Sequence, residues 1–275
     1  MAYTTIDDPT IYFNTVTYTG NGQASHAITG VGHQPDWVWI KRRDGTVNHL
    51  LHDSIRGVTK LLVSNTTGAD DVNTNILLGF DSDGFRVGAN SASNVSSGTF
   101  VSWNWKAGGS TSSNSDGDIT STVSVNTTAG FSIVSYTGSG TTSNTVGHGL
   151  SSIDWLIVKS RDETDSWFVK HKSLSSSKNL NLDQTVAETD VTSAYSEGGL
   201  SNLSGNTFGF LDGTSDANAV NESSEAHIAY CFKGVQGYSK FGKYSANNNA
   251  DGPFIYTGFK PAFFLMKEIT DTGTN

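Results

Sequence analysis

Residues Gln34-Pro35-Asp36-Trp37-Val38-Trp39-Ile40-Lys41-Arg42-Arg43-Asp44 carry two tryptophans and three basic side chains within eleven positions. Alone, such a stretch suits a nucleic-acid patch, a sugar-binding platform or an ordinary strand. A second stretch has the same frame: Ile153-Asp154-Trp155-Leu156-Ile157-Val158-Lys159-Ser160-Arg161-Asp162. Both read Asp-Trp, three apolar residues, then Lys-x-Arg-Asp. Tyr18 precedes Trp37 by 19 residues and Lys41 by 23, and Tyr136 precedes Trp155 and Lys159 by the same distances. Tyr244 stands at those distances before Phe263 and Lys267, so a third copy begins. Repetition at fixed spacing points to one structural unit used in tandem. A position that is Trp, Trp and then Phe behaves as core, and its alternating neighbours fit a strand covered on both faces. Tyr18, Trp37, Lys41, Tyr136, Trp155, Lys159, Tyr244, Phe263 and Lys267 are therefore structural repeat positions. The lysines are expected where each strand emerges into solvent.

The copies agree downstream. Lys60 and Lys178 each lie 42 residues after their tyrosine. Residues 101–106 match 228–233 as a closing strand, and the second copy is nine residues longer before it. Strand-like runs lie at 14–19, 37–42, 76–80, 85–88, 100–105, 131–136, 155–159, 167–171 and 227–232. Turn pairs punctuate the chain at Asn21-Gly22, Asp44-Gly45, Asp83-Gly84, Asp212-Gly213 and Asp251-Gly252. No long amphipathic helix is visible, and residues 53–62 allow one short helical turn. The pattern predicts an all-β fold of tandem β-sandwich repeats, jelly-roll or lectin-like. The expected divisions are an N-terminal attachment arm (1–11), repeat one (12–107), a linker (108–123), repeat two (124–237) and the start of a third repeat (238–275). The Gly-Gly-Ser-Thr-Ser-Ser-Asn-Ser run at 108–115 reads as flexible.

Composition narrows the functions. The chain has 275 residues, a net charge of −9 and only 16% charged residues. Nucleic-acid binding needs the opposite sign, and no apolar run reaches membrane-spanning length, so neither partner is expected. Cys231 is the only cysteine, so no disulfide forms within the chain. Asn65, Asn94, Asn126, Asn202 and Asn221 head glycosylation sequons, as chance allows in so Asn-, Ser- and Thr-rich a chain. The first residues lack the basic start and apolar run of a signal peptide, which predicts synthesis in the cytoplasm.

No chemistry recurs between the copies. The first glutamate is Glu163, and no acidic pair is repeated, which argues against glycoside hydrolysis. His49 and His52 would point to opposite faces of a strand, a poor start for a metal site. His52 and His171 correspond and read as strand-end histidines bonded to backbone. Cys231 reads as a small buried residue. Asp70-Asp71 and Asp81-Ser82-Asp83-Gly84 offer oxygen ligands to calcium, but no glutamate closes a twelve-residue loop, and the metal question stays open. No catalytic residue and no cofactor is expected.

Several motifs carry a resemblance. They are Tyr18-Thr19-Gly20-Asn21-Gly22 and Tyr136-Thr137-Gly138-Ser139-Gly140, Val146-Gly147-His148-Gly149-Leu150, and the Asp-Trp-x-x-x-Lys-x-Arg frame. Trp103-Asn104-Trp105-Lys106-Ala107-Gly108-Gly109, the run from Gly237 to Tyr244 and the run from Asp251 to Pro261 complete the set. Together they resemble a tandem-repeat β-sandwich domain of marine tailed-bacteriophage tail-fibre and other virion structural proteins. The resemblance implies a non-enzymatic virion protein, the tail-proximal part of a tail fibre used in host attachment. It implies assembly in the host cytoplasm, a homotrimer, other tail or capsid proteins as partners, and contact with a host surface glycan. It carries over no catalytic residue. A capsid decoration or capsid-fibre protein and a polysaccharide depolymerase are the alternatives. The third copy stops inside its repeat at Asn275, which suggests a longer natural product.

Overall fold

The computed structural model describes residues 3–192, 199–201, 203, 205–211 and 219–271. The Asp212-Gly213 turn, the Asn202 sequon, residues 1–2 of the arm and residues 272–275 of the third copy lie outside the described residues. Among the described residues the regular structure is almost all β, in antiparallel sheets. In the first half run β1 (Phe13–Thr19), β2 (His26–Ile28), β3 (Trp37–Arg42), β4 (Leu50–Asp53), β5 (Lys60–Val63), β6 (Asp71–Val72), β7 (Leu77–Asp81), β8 (Gly84–Val87), the helical turn α1 (Ser91–Asn94) and β9 (Thr99–Trp105). The second half contains β10 (Ser112–Asn114), β11 (Ser121–Asn126), β12 (Phe131–Thr137), β13 (Thr145–Gly147), β14 (Trp155–Ser160) and β15 (Phe168–His171). It continues with β16 (Lys178–Asn181), β17 (Thr189–Asp190), β18 (Gly199–Ser201), β19 (Thr207–Leu211) and β20 (Ala226–Phe232).

Each half is a sandwich of one large and one small sheet. The first large sheet has the order β1-β9-β3-β4-β5-β6, and β2-β8-β7 packs across it. The second has β10-β11-β12-β20-β14-β15-β16-β17, and β13-β19-β18 packs across it. With β10 and β11 set aside, the two orders correspond strand for strand. The register corresponds too: Tyr18 faces Phe100 as Tyr136 faces His227, and Trp37 faces Trp105 as Trp155 faces Phe232. In both halves the last strand lies between the first and the third.

The two large sheets pack on each other, so the halves lie face to face rather than in series. One apolar cluster holds Trp37, Leu51, Leu62 and Trp105 from the first sheet with Phe131, Ile157, Tyr230 and Phe232 from the second. Trp37 stacks on Tyr230 at 4.3 Å between ring centroids and lies 4.4 Å from Trp105. This explains why Trp37, Val38, Trp39 and Ile40 are all buried: each large sheet has a small sheet on one face and the other half on the second.

Several expectations are corrected. The stretch read as a flexible linker is fastened: Gly108 N–H donates to Ser124 Oγ (3.0 Å), and β10 pairs with β11 at the sheet edge. Its Ser- and Gly-rich composition lacks apolar side chains, but its backbone still pairs. Residues 53–62 hold a turn without helix. Asp53 accepts from the Ile55 and Arg56 amides, then Gly57 at φ +87° ends the turn and β5 follows. The helical turn is instead α1, capped by the Asn90 side chain on Ala92 N–H. The arm docks on its own chain: Ile6 is buried, and the backbone of Thr10 accepts from the His33 ring. Asp8 caps the turn at Pro9–Ile11. The third copy forms no strand among residues 240–271; Phe263 nonetheless reaches the shared core, against Phe13, Trp103 and Trp105.

Candidate functional site

The repeated Asp-Trp frame has a structural task, and its two aspartates perform it. At the near end of β3, Asp36 Oδ2 accepts from the amides of Ala107 (2.7 Å) and Gly109 (3.3 Å), just beyond β9. Asp154 Oδ2 accepts from Gly234 N–H (2.7 Å), just beyond β20. At the far end, Asp44 Oδ2 accepts from Thr99 N–H (2.9 Å) and Asp162 Oδ2 from Ala226 N–H (2.7 Å), the first residues of β9 and β20. Each closing strand is thus clamped at both ends by the strand beside it. Extended chain separates the two carboxylates of a frame by roughly 25 Å. Glycoside-hydrolase pairs stand about 5–10 Å apart, so the frame is no acid–base dyad. Asp36→Ala should cost about 1–3 kcal/mol, the usual result of leaving a buried amide without its acceptor. Chemical denaturation against the parent chain measures it.

The Tyr-Thr-Gly motif fastens the loop before the closing strand. Tyr18 OH donates to Ser93 O (2.8 Å) and Tyr136 OH to Val220 O. A Cβ at Gly20 would lie 2.2 Å from Val95 O, and one at Gly138 2.1 Å from Glu222 O, so the motif needs glycine there. Asn94 Oδ1 accepts from Asn21 N–H and Asn221 Oδ1 from Ser139 N–H, each at 2.9 Å. Both asparagines are buried, so these two sequons are internal fasteners. Sequence reading missed that role. The available signal was position, because each lies five residues before its closing strand.

Three repeat lysines were expected in solvent. Lys159 is fully buried, and its ammonium donates to Ser160 O (2.8 Å) and Glu163 O (3.0 Å). Burial pushes it down to about 8. Lys41 is half-buried on Val47 O, and Lys267 on Gln184 O. A lysine at the strand end meets the carbonyls of the next turn, and its long stem lies against the core.

The halves are joined by a buried ion cluster. Arg56 pairs with Asp53 (Nε–Oδ2, 2.5 Å) and Asp70 (Nη1–Oδ1, 2.8 Å), and donates to Leu51 O. From the second half, Tyr230 OH donates to Asp53 Oδ2 (2.7 Å), and Arg161 pairs with Asp70 (2.8 Å). Trp167 Nε1 of the second half donates to Val63 O and Thr66 O of the first.

The reactive groups singled out in the sequence are mostly bonded or buried. Asp83, a calcium candidate, already accepts from Gly30 and Gly32 N–H; Asp81 pairs with Arg86 and Asp70 with two arginines. Among the described residues no group of three His, Cys, Asp or Glu can hold a metal ion. Cys231 is buried, and burial pushes its thiol up, away from reactivity. His49 accepts from Trp39 Nε1 and His171 from Ser173 N–H, so His171 fits the backbone-bonded expectation. His52 departs from it, because neither of its ring nitrogens has a partner of good geometry. An open depression of about 410 Å³ is lined by Asp116, Thr127, Leu150, Ser151, Asn206 and Lys233.

Burial pushes the imidazoles of His52, His148 and His227 down, to about 3, 4 and 4. Their unfolded value is about 6.5. Between pH 6.5 and 4 the unfolded chain therefore binds protons that the folded chain refuses. Stability should fall as pH drops through that window, by up to about 1.4 kcal/mol per pH unit for each histidine. Asp36, held above the usual carboxyl value by burial, opposes this at the acid end. Denaturant midpoints across the window check the slope; a flat profile would refute it.

Exposed apolar surface is concentrated in the third copy. Phe254 is 89% exposed, Phe264 71%, Tyr256 65% and Met266 55%. No described helix is long and apolar enough to cross a membrane. A family model described as a domain of unknown function (DUF7483) matches residues 8–275. No curated protein and no solved structure matches the chain.

Proposed function

The chain belongs to the family of this domain of unknown function, DUF7483, and from that premise we propose that it is a non-enzymatic structural protein of a bacteriophage virion. In this reading it forms the tail-proximal part of a tail fibre used in host attachment. It assembles in the host cytoplasm as a homotrimer, against other virion proteins, with a host surface glycan as an outer contact. One observation carries the reading. The repeated polar residues are bonded to the fold itself, at the ends of closing strands and at the contact between halves, while the apolar row of the third copy faces outward. An assembly protein needs that division, whereas an enzyme needs accessible reactive groups.

Immunogold electron microscopy of intact virions, with antibody against residues 3–110, tests the proposal. Gold at the tail is the expected result. Gold over the head makes the chain a capsid decoration protein. Virions without gold remove the virion reading altogether. Oligosaccharide release from host polysaccharide by the purified protein would restore the depolymerase alternative.

A further inference from the structure

We propose that the open depression in the second half binds one hexose-sized residue of a host surface glycan. This gives a place to the glycan contact put forward above, and it rests on that reading. The depression lies where five pieces of chain meet. Asp116 comes from the connection between β10 and β11, Thr127 from the turn before β12, and Leu150 and Ser151 from the connection between β13 and β14. Asn206 stands just before β19 and Lys233 just after β20. The first half has the same corner and closes it with its own side chains. Lys106 and Lys233 each follow a closing strand, and their N–H groups donate to Tyr12 O (2.8 Å) and Gly130 O (2.7 Å), each six residues before the repeat tyrosine. His33 and Ser151 each lie 15 residues after it. The His33 ring is buried and bonds Thr10 O (2.9 Å), and Asp83, just before β8, closes on the amides of Gly30 (3.0 Å) and Gly32 (2.7 Å).

In the second half the corner is left open and its polar groups are left over. A small hydroxyl stands at the count of the histidine, and Asn206 replaces Asp83 ahead of the facing strand. The side chains of Asn206 and Thr127 have no hydrogen-bond partner among the described residues. Asp116 Oδ2 accepts only from Asn114 Nδ2 (3.0 Å), and Lys233 Nζ gives one of its three protons to Ser151 Oγ (2.6 Å). The walls are fixed without a ligand. Ile119 N–H donates to Thr145 O (2.9 Å), Asp118 Oδ2 accepts from Thr145 N–H (3.0 Å), and Ser121 Oγ donates to Gly147 O (2.7 Å). Buried Leu150 gives an apolar base. A preformed site loses little order on binding. The groups on offer are a carboxylate, an ammonium, a carboxamide and two hydroxyls, balanced in charge. Neighbouring hydroxyls of a sugar ring, each both donor and acceptor, match that mixture better than an anion or an apolar ligand does. A volume of about 410 Å³ lies at the small end of ligand sites and suits one ring. No aromatic ring is among the described residues that line it, so a single contact is weak, with a Kd of about 1 mM, and adhesion comes from several copies acting together.

The experiment titrates the full isotope-labelled chain with the methyl glycosides of glucose, galactose, N-acetylglucosamine and glucuronic acid, followed by amide NMR spectra. Saturable shifts at the amides of Asp116, Thr127, Ser151, Asn206 and Lys233 are expected with at least one glycoside. Asp116→Ala and Asn206→Ala should each weaken binding by about tenfold. Ser151→His, which puts a ring into the depression, should abolish it. All three positions are exposed, so an unaltered amide pattern elsewhere verifies that the variants fold. No saturable shift with any of the four glycosides overturns the proposal. So do shifts confined to other parts of the chain, or undiminished binding by Ser151→His. Gold at the tail without sugar binding keeps the virion reading and removes this site. Sugar binding at these residues without gold on virions keeps the site and removes the virion.

Discussion

Replacing Arg56 with methionine should lower the stability of the fold by about 3–5 kcal/mol, the usual result of removing one partner from a buried ion cluster. The guanidinium is completely enclosed and makes five contacts, to Asp53, Asp70, Leu51 O, Lys60 O and Tyr230 OH. Methionine keeps most of the stem volume, so a cavity is not the main loss. The loss is charge: Asp53 keeps only Tyr230 OH and two amides, in a site closed to water. Asp70 fares better because Arg161, partly exposed, still reaches it. Adding Asp53→Asn and Asp70→Asn to Arg56→Met should therefore recover most of the lost stability. Urea denaturation of the parent, the single and the triple variant decides it. A single variant that loses less than about 1 kcal/mol would show that water reaches the cluster.

Trp37→Ala should cost a similar amount, about 3–5 kcal/mol for a large aromatic in a closed core. Trp37 is fully buried and touches Trp39, Trp105, Phe131, Tyr230 and Phe232 across both large sheets. Its indole N–H has no partner, so Trp37→Phe should cost much less, which fits the phenylalanine at the same place in the third copy. Trp167 should behave in the opposite way. Its N–H holds Val63 O and Thr66 O across the contact between halves, so Trp167→Phe removes both bonds; Val63 O keeps the Thr66 amide and Thr66 O loses its indole donor, at about 1–3 kcal/mol in all. Equal tolerance of phenylalanine at both sites would refute this account.

The strands were legible because alternation and turn residues are local. All nine anticipated runs coincide with strands of the structure to within two residues at either end. The Asp-Trp frame was legible as a repeat but its task was not. A clamp on β9 needs a partner some sixty residues away, and spacing says nothing about which strand is the neighbour. Asn94 and Asn221 looked like chance sequons because their acceptor role exists only once the first turn of each unit folds over them. Lys159 looked like a surface residue because the turn that swallows its ammonium is not visible in the frame. The face-to-face packing was hidden for a related reason. Apolar residues on both faces of β3 reveal that two layers cover it, without revealing that the second layer is the other half. The 240–271 segment shows the converse: its sequence pattern names two strands, but strands need neighbours.

The central placement of each closing strand also sets the timetable of folding. Tyr18 meets Phe100 and Tyr136 meets His227, so the first strand of a unit waits for a partner more than eighty residues downstream. Contacts of such long range raise contact order and slow folding. On the ribosome, the first unit can assemble its large sheet only after residue 105 has left the exit tunnel. Trp37 waits longer still, because Phe131, Tyr230 and Phe232 of the second half complete its cover. The chain therefore depends on delay without aggregation, and its high serine, threonine and asparagine content keeps the waiting strands hydrated during that interval.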